Sequence, residues 1–266
     1  MELSGLTGAR LYDLEQPRYY GAPTHPAHVP GFIYSLHRRH EAGWEEPRTS
    51  ASGLVVMAEH SGTHIDALCH QAENLTLHGG LPVDARLQTS TGFAQLGIDA
   101  VPPLVTRGIL LDVAANLGLE RVPPERVVQA EDLEAAATAE GVSISPGDTV
   151  LVRTGNGALW DHPGEYLRGA GVAASASRLL ADRQVTAVGA DNMAWDVIGV
   201  MDQELRMTLP GHVILLVRNG IHIVENLFLE ELARDRCYEF VFICLPLKMR
   251  GATGSPVRPV AAVPPA

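Results

Sequence analysis

Beyond residue 50, short apolar segments rich in Val and Ile alternate with segments of helical periodicity, and this alternation most restricts the fold. Strands are predicted where such apolar runs lie between turn residues, at 54–59, 108–113, 149–153, 185–190, 213–217, 221–224 and 238–245. Helices are predicted at 130–140, 173–183 and 229–235. The pattern predicts a mixed α/β domain with several strands and few helices.

The two ends of the chain depart from this pattern. Residues 16–50 are rich in Pro, His, Gly and charged residues, which predicts an extended arm rather than a packed layer. Residues 256–266 are rich in Pro and Ala, and the prolines exclude a helix there. We therefore expect a single domain over 1–266, in which 1–50 is partly an extended arm and 256–266 is a tail.

Charge and cysteine content argue against several classes of protein. A formal net charge of −11 without a basic stripe disfavours nucleic acid or an anionic membrane as a partner. The sequence has no apolar run long enough to span a bilayer, and residues 1–20 lack the pattern of a signal peptide. Cys69, Cys237 and Cys244 are an odd number without a CxxC pair, which disfavours a disulfide framework. We expect a cytoplasmic protein.

Potential metal-binding side chains are concentrated at residues 60–70, His-Ser-Gly-Thr-His-Ile-Asp-Ala-Leu-Cys-His. It places His60, His64, Asp66 and His70 at spacings of four, two and four. Imidazole and carboxylate are ligands that Zn²⁺, Fe²⁺ and Mn²⁺ prefer. Three ligands from one segment leave coordination positions open for catalysis, and the fourth side chain, His70, could move protons at neutral pH.

The local geometry of this stretch is predicted to be a turn. His60 and His64 would share a face of a helix, but Gly62 and Thr63 are poor helix formers. The apolar run at 54–58 predicts a buried strand that runs into a tight turn at Gly62. The alternative is that the histidines are inert polar residues of a loop.

Two more polar residues lie at the ends of apolar segments. His212 precedes 213–217, and Glu225 follows 221–224. Burying an unpaired carboxylate is costly, so Glu225 needs a partner, which a metal or a histidine would supply. Alternatively, Glu225 caps the following turn and His212 bonds to backbone, and the residues alone leave both open.

The sequence from His60 to Asp66, with His70 four residues further on, resembles the signature of the metal-dependent cyclase family, which includes kynurenine formamidases and isatin hydrolases. The likeness extends in the same order to four other segments, namely 147–155 (Gly-Asp-Thr-Val-Leu-Val-Arg-Thr-Gly), 189–191 (Gly-Ala-Asp), 212–227 (His to Glu-Asn-Leu) and 254–259 (Gly-Ser-Pro-Val-Arg-Pro). One difference is Leu68, which stands where many members have Pro.

The resemblance implies a swivelling β/β/α fold and a homo-oligomer, either a dimer or a tetramer. It implies that His60, His64 and Asp66 bind a first divalent metal and that His70 transfers protons. In two-metal members Asp66 would bridge to a second ion, which residues matching His212 and Glu225 would also hold. The metal expected is Mn²⁺ or Zn²⁺.

We therefore predict a metal-dependent hydrolase that cleaves a C–N or C–O acyl bond with activated water. The expected substrate is a small cyclic amide, lactone or N-formyl aromatic compound. Its predicted contacts are Trp44, Phe32 and Trp195, although packing is the commoner role of such tryptophans.

Three alternatives to this reaction remain open from the sequence. The same site could close a ring or remove water in a biosynthetic pathway. The two His and one carboxylate could hold Fe²⁺ for chemistry with O₂. The chain could also be a non-enzymatic metal-binding scaffold, although such a scaffold has no need of His70.

Overall fold

The computed structural model describes residues 7–43 and 45–265. In these residues the strands are β1 (Arg10–Asp13), β2 (Phe32–Arg38), β3 (Ser52–Met57), β4 (His64–Asp66), β5 (Thr76–Leu77), β6 (Leu81–Pro82), β7 (Gln88–Thr89), β8 (Gly92–Phe93), β9 (Leu104–Asp112), β10 (Thr149–Arg153), β11 (Ala187–Ala190), β12 (Met201–Asp202), β13 (Met207–Thr208), β14 (His222–Glu225), β15 (Glu239–Cys244), β16 (Gly254–Pro256) and β17 (Val260–Val263). The helices are α1 (Val113–Asn116), α2 (Ala130–Glu140), α3 (Pro163–Tyr166), α4 (Ala174–Asp182), α5 (Pro210–His212) and α6 (Glu230–Arg234).

Nine of the described strands form one mixed sheet in the order β1-β17-β15-β9-β10-β11-β14-β4-β16. The four central strands, β9, β10, β11 and β14, run parallel. Antiparallel strands continue the sheet on both sides, with β15 next to β9 and β4 next to β14. The chain thus has the mixed α/β architecture that the sequence predicts.

Buried side chains form a separate core on each face of this sheet. Successive residues of a strand point to opposite faces, so Ile109 and Leu111 pack on one side of β9 and Leu110 on the other. The first face is covered by α2 and α4, which contribute Leu133 and Leu180. These two helices, both predicted from the sequence, therefore cover the apolar side chains on this face of the strands.

The strand predicted at 213–217 is wrong, because this segment is helical. α5 continues directly into a π-helix at Val213–Asn219. Leu209 has a left-handed backbone with φ of 52°, Pro210 follows at the first helical position, and Gly220 ends the helix with φ of 67°. The run is buried on every side, and such a run has the same apolar pattern in a strand as in a helix.

The strand predicted at 54–59 exists as β3, but it is not buried. It pairs with β2 in a two-stranded hairpin outside the main sheet. The side chain of Leu54 is 58% exposed, and those of Val55 and Val56 are 45% and 46% exposed. Apolar content alone predicted burial, whereas in the described part of the chain both faces of this hairpin carry exposed apolar side chains.

The segment predicted as a tail contributes to the sheet. β17, at Val260–Val263, lies between β1 and β15. Its prolines flank the strand rather than interrupt it, and Ala261 and Ala262 are buried. The described helices include none with the length and apolar character needed to cross a membrane.

Candidate metal centre

Three neighbouring strands bring the predicted site residues together at one end of the sheet. β4 carries His64 and Asp66 and lies between β14 and β16. In the register of these strands Glu225 of β14 is opposite His64, and Gly254 of β16 is opposite Asp66. Segments far apart in the chain therefore converge on β4.

The turn before β4 places His60 beside these residues. Gly62 adopts φ of 63°, as the predicted tight turn requires. The Arg18 guanidinium donates to the carbonyls of Ser61 and Thr63. The Asn226 amide donates to the carbonyl of Gly62 at 2.9 Å. The turn is thus fixed from both sides by the rest of the fold.

The three side chains from this turn and strand face one another. Candidate ligand atoms of His60, His64 and Asp66 all lie within 4.8 Å of one another, and all three residues are buried. His60 Nδ1 lies 2.8 Å from Asp66 Oδ1, and His64 Nε2 lies 3.6 Å from the same oxygen. His64 Nδ1 is 2.8 Å from the Gly62 carbonyl, to which it donates, so Nε2 faces the other ligands.

Buried atoms that have no hydrogen-bond partner among the described residues lie at the centre of this group. They are both carboxylate oxygens of Asp66 and the Nδ1 of His60. Leaving a buried carboxylate unpaired is costly, and most buried polar atoms have partners. A divalent cation that accepts lone pairs from all three atoms would remove this cost. The residues present therefore fit a divalent cation with nitrogen and oxygen ligands.

His212 and Glu225 extend the group on the side of β14. His212 Nε2 lies 3.2 Å from Glu225 Oε1 and 3.7 Å from Asp66 Oδ2. His212 Nδ1 donates to the carboxylate of Asp196 at 2.7 Å. The backbone N–H of Trp195 donates to Glu225 at 2.8 Å. A second triple with atoms within 4.8 Å consists of Asp66, His70 and His212.

Burial and mutual charge interactions shift the pKa of several groups of the site, among them Asp66, His70, His212 and Glu225. Burial opposes ionisation of Asp66, yet the neighbouring His70 and His60 hold its pKa well below the usual value. Burial also opposes the charged form of His212, but Asp196 and Glu225 outweigh it and raise its pKa. Likewise Glu225 has a lowered pKa, because His212 and His64 outweigh its burial. The carboxylates are therefore ionised and need positive partners.

His70 differs from the other imidazoles of the site. Its ring stacks on that of His60, with centroids 3.9 Å apart, and lies 6.1 Å from the ring of His212. Burial and the neighbouring His60 and His212, against the opposing carboxylate of Asp66, lower the pKa of His70 to about 3. A neutral imidazole in this position can accept a proton.

A cavity of about 210 Å³ opens over these residues. It is lined by His25, Ala27, His28, His60, His64, His70, Gln71, Met193, Ala194, Leu209, His212 and Glu225. The ring of His28 lies 5.0 Å from that of His60. His25 and His28 were not among the predicted site residues, although a His-Pro-Ala-His stretch in a weakly periodic arm is a visible signal.

Two of the three predicted substrate contacts, Phe32 and Trp195, lie outside the cavity lining. The described residues that line the cavity include neither Phe32 nor Trp195. Phe32 begins the hairpin strand β2, and the buried indole of Trp195 donates to Ser177 at 2.9 Å. Trp44 lies outside the described residues.

Comparisons of the sequence with known proteins agree on one family. The sequence model of the family Cyclase, described as "Putative cyclase", matches residues 12–197. The kynurenine formamidase of Paracidovorax citrulli is 28% identical over 262 residues, which cover 97% of this chain and 99% of that protein. The kynurenine formamidase of Bacillus thuringiensis subsp. konkukian is 28% identical over 255 residues, with 93% and 95% covered.

Solved structures share the fold. A crystal structure described as a novel cyclase superposes with a TM-score of 0.84 at 26% identity and covers 99% of this chain and 93% of its own. An isatin hydrolase bound to the product analogue thioisatinate gives a TM-score of 0.73 at 22% identity, with 99% and 95% covered. The second likeness is evidence of the fold alone.

Proposed function

The chain belongs to the cyclase family, and on that premise we propose that it is a metal-dependent hydrolase of a non-peptide C–N bond. The observation that carries this proposal is the convergence of buried, unpaired ligand atoms on Asp66 and His60 beneath a cavity. Relatives named kynurenine formamidase support an N-formyl amide as the substrate. The same site chemistry would also open a cyclic amide at its C–N bond or a lactone at its C–O bond.

His60, His64 and Asp66 would hold one divalent ion, and Asp66, His212 and Glu225 would hold a second. When bound, such an ion supplies Lewis acidity that polarises a carbonyl and lowers the pKa of water. Either Mn²⁺ or Zn²⁺ suits imidazole and carboxylate ligands. Asp66 Oδ1 lies near His60 and Oδ2 lies on the side of His212, so this one carboxylate would serve both groups of ligands.

His70 would move the protons of the reaction. Its ring lies at the cavity wall between His60 and His212. A neutral ring nitrogen can accept a proton from the attacking water and deliver it to the leaving nitrogen. This route needs no serine nucleophile.

The size and lining of the cavity support a small substrate. At about 210 Å³ it is smaller than the roughly 300–1,000 Å³ typical of pockets for drug-sized ligands. His25, His28 and Gln71 offer hydrogen bonds at its wall, and Met193 and Leu209 offer apolar surface. We assign substrate contact to these five residues.

We also propose that the protein is a cytoplasmic homo-oligomer. Exposed apolar residues on both faces of the β2–β3 hairpin support association, with Ile33 and Val56 on one face and Tyr34 and Val55 on the other. A second copy of the chain would cover them. The odd number of cysteines supports a reducing compartment.

The test is metal content and hydrolysis of N-formyl anilines, measured on tag-free protein and on His64→Ala. We expect one or two equivalents of Mn or Zn per chain. The variant should lose metal and at least about 10³-fold in kcat/KM, because Lewis-acid stabilisation is worth several kcal/mol and 1.36 kcal/mol is tenfold in rate. His162→Ala, at an exposed histidine outside the cavity lining, is the control and should change neither value.

The same assay separates the alternatives. Hydrolysis of open-chain formamides without ring formation supports the proposal, whereas ring closure or loss of water from the same substrates would indicate a cyclase or dehydratase. Stoichiometric metal without turnover of any formamide, cyclic amide or lactone would indicate a metal-binding scaffold. An active, metal-free His64→Ala protein would contradict the mechanism.

A further inference from the structure

We propose that Thr253 and Glu59 fix the tautomer of His60, so that His60 offers Nδ1 to the metal while His64 and His212 offer Nε2. This inference rests on the proposed metal site. It adds two positioning residues that act through His60 and do not bind the metal themselves.

The hydrogen bonds of Thr253 determine where the proton of His60 lies. The Thr253 hydroxyl donates to the Glu59 carboxylate, which can only accept. The hydroxyl has a single proton, so towards His60 its oxygen must accept. His60 Nε2 lies 2.8 Å from this oxygen and is therefore the protonated nitrogen. In the neutral imidazole, the form that binds a metal, Nδ1 then carries a free lone pair.

The position of His60 Nδ1 agrees with this assignment. Nδ1 lies 2.8 Å from Asp66 Oδ1, yet in the part of the chain that the structure describes neither atom has a hydrogen-bond partner. A nitrogen lone pair and a carboxylate oxygen at this distance repel each other unless a cation lies between them. The two atoms are thus arranged as ligands of one ion rather than as a hydrogen-bonded pair.

The backbone holds the Glu59–Thr253 pair in place. The N–H of Thr253 also donates to Glu59, at 3.1 Å, and the carbonyl of Thr253 accepts from the N–H of Ala67 at 2.9 Å. Gly254 leaves room for the imidazole, because a Cβ there would lie 2.6 Å from His60 Cε1 and 3.0 Å from Nδ1. The ring is therefore clamped between Thr253, Gly254 and the other ligands.

His64 and His212 have the opposite orientation. The Nδ1 atom of His64 donates to the Gly62 carbonyl, and that of His212 donates to Asp196. In both residues Nε2 is left to face Glu225 and Asp66. Partners of this kind on the non-ligating nitrogen set the tautomer and raise ligand basicity in metal sites.

The test is NMR of the full chain loaded with ¹¹³Cd and labelled with ¹⁵N in histidine. Long-range ¹H–¹⁵N spectra distinguish the two ring nitrogens, and a ¹¹³Cd–¹⁵N coupling identifies the one that binds. We expect coupling through Nδ1 for His60 and through Nε2 for His64 and His212. Coupling of His60 through Nε2 would overturn the inference, whereas absence of stoichiometric cadmium would contradict the proposed function.

Substitutions separate the hydroxyl from the shape of residue 253. Thr253→Val keeps the shape and removes the hydroxyl, and we expect a 10–100-fold loss of Cd²⁺ affinity with loss of the Nδ1 coupling. Thr253→Ser keeps the hydroxyl, so it should have the Cd²⁺ affinity and the Nδ1 coupling of the parent protein. Glu59→Ala frees the hydroxyl proton to donate to Nε2, so it should also abolish the Nδ1 coupling.

The control is Thr138→Val, which removes an exposed hydroxyl that donates to the Glu134 carbonyl within α2. It should leave cadmium affinity and couplings unchanged. If Thr253→Val binds cadmium within twofold of the parent protein and keeps the Nδ1 coupling, Thr253 has no positioning role.

Discussion

The histidines of the site divide into two kinds according to their hydrogen bonds. His60, His64 and His212 each have one ring nitrogen bonded to protein, to a hydroxyl, a carbonyl and a carboxylate respectively. His70 instead makes ring contacts with its neighbours and lines the cavity. A ligand benefits from a fixed ring, whereas a proton carrier needs a nitrogen that water or substrate can reach.

This division predicts different results for His64 and His70. His70→Gln should keep the metal content of the parent protein and lower kcat by about 10²–10⁴-fold, the usual contribution of a general acid–base group. Metal analysis and steady-state kinetics on the same preparation check this. Loss of metal together with activity would instead make His70 a ligand, consistent with its place in the triple with Asp66 and His212.

Short-range features of the site could be predicted from the sequence, and long-range ones could not. The run at 60–70 predicts a metal site by itself, because its polar residues lie close together in one turn and the strand that follows. Asp196 and Thr253 have no comparable signal, since they lie 16 and 193 residues from the histidines they contact. His28 was overlooked because the fold, not the local pattern, brings its arm over the site.

Among the secondary-structure elements, α2 carries an unfavourable charge at its end. Glu140 is its last residue, where the helix dipole disfavours an anion. Its Oε1 accepts from the backbone N–H of Asp112 at 2.7 Å. Burial and the carboxylate of Asp112, against this hydrogen bond, raise the pKa of Glu140 to about 7.

The raised pKa predicts a pH-dependent effect of Glu140→Gln on stability. Because the folded protein holds the Glu140 proton more tightly, this group contributes stability that is present below its ordinary pKa of 4.5 and lost as the pH rises through about 7. The variant cannot ionise at this position. Its Tm should exceed that of the parent protein at pH 8, and the difference should shrink at pH 5.

Thermal unfolding of both proteins at each pH measures this difference. Comparison at equal pH cancels the titration of all other groups. Glu134→Gln, at an exposed position of the same helix, is the control and should show no such pH-dependent difference. A Tm difference for Glu140→Gln that is the same at pH 5 and pH 8 would contradict the raised pKa.

The elements themselves were predictable to different degrees. α2 was predicted within its observed bounds because Gly141 ends it with φ of 70°. The helical structure of 213–217 was not predicted, since hydrophobic periodicity cannot distinguish a helix from a strand where every face of a segment is buried. The hairpin strand β3 was found, but its exposure depends on what lies next to it, which local sequence does not encode.

For the whole molecule, the β2–β3 hairpin predicts an interface between copies of the chain. Leu54→Glu places a charge on an apolar position that is 58% exposed in the single chain. We expect a smaller mass by light scattering after size exclusion, because an interface of apolar side chains does not tolerate an unpaired buried charge. Leu119→Glu, at another exposed leucine, is the control and should leave the mass unchanged.

An unchanged mass for Leu54→Glu would mean that the hairpin is not the interface. A parent protein that is monomeric at all concentrations would contradict the proposed homo-oligomer. The circular dichroism spectrum should remain that of the parent protein, since the hairpin lies outside the main sheet.

The mixed α/β class could be predicted from the sequence, but the order of the strands in the sheet could not. β4 has three residues and no local signal for its neighbours. Its place between β14 and β16 is set by pairing over long sequence distances, which depends on the packing of the whole chain.

The position of β16 beside β4 has a consequence for how the enzyme is loaded with metal in the cell. The ribosome synthesises His60, His64 and Asp66 long before Thr253 and Gly254. In the folded protein Thr253 contacts His60, and Gly254 pairs with Asp66 across the sheet. A nascent chain would therefore have the proposed ligands without the groups that orient them. On the proposed metal site, ion capture in the final geometry would wait until β16 has been translated and has docked, so we expect metal loading to follow the completion of folding.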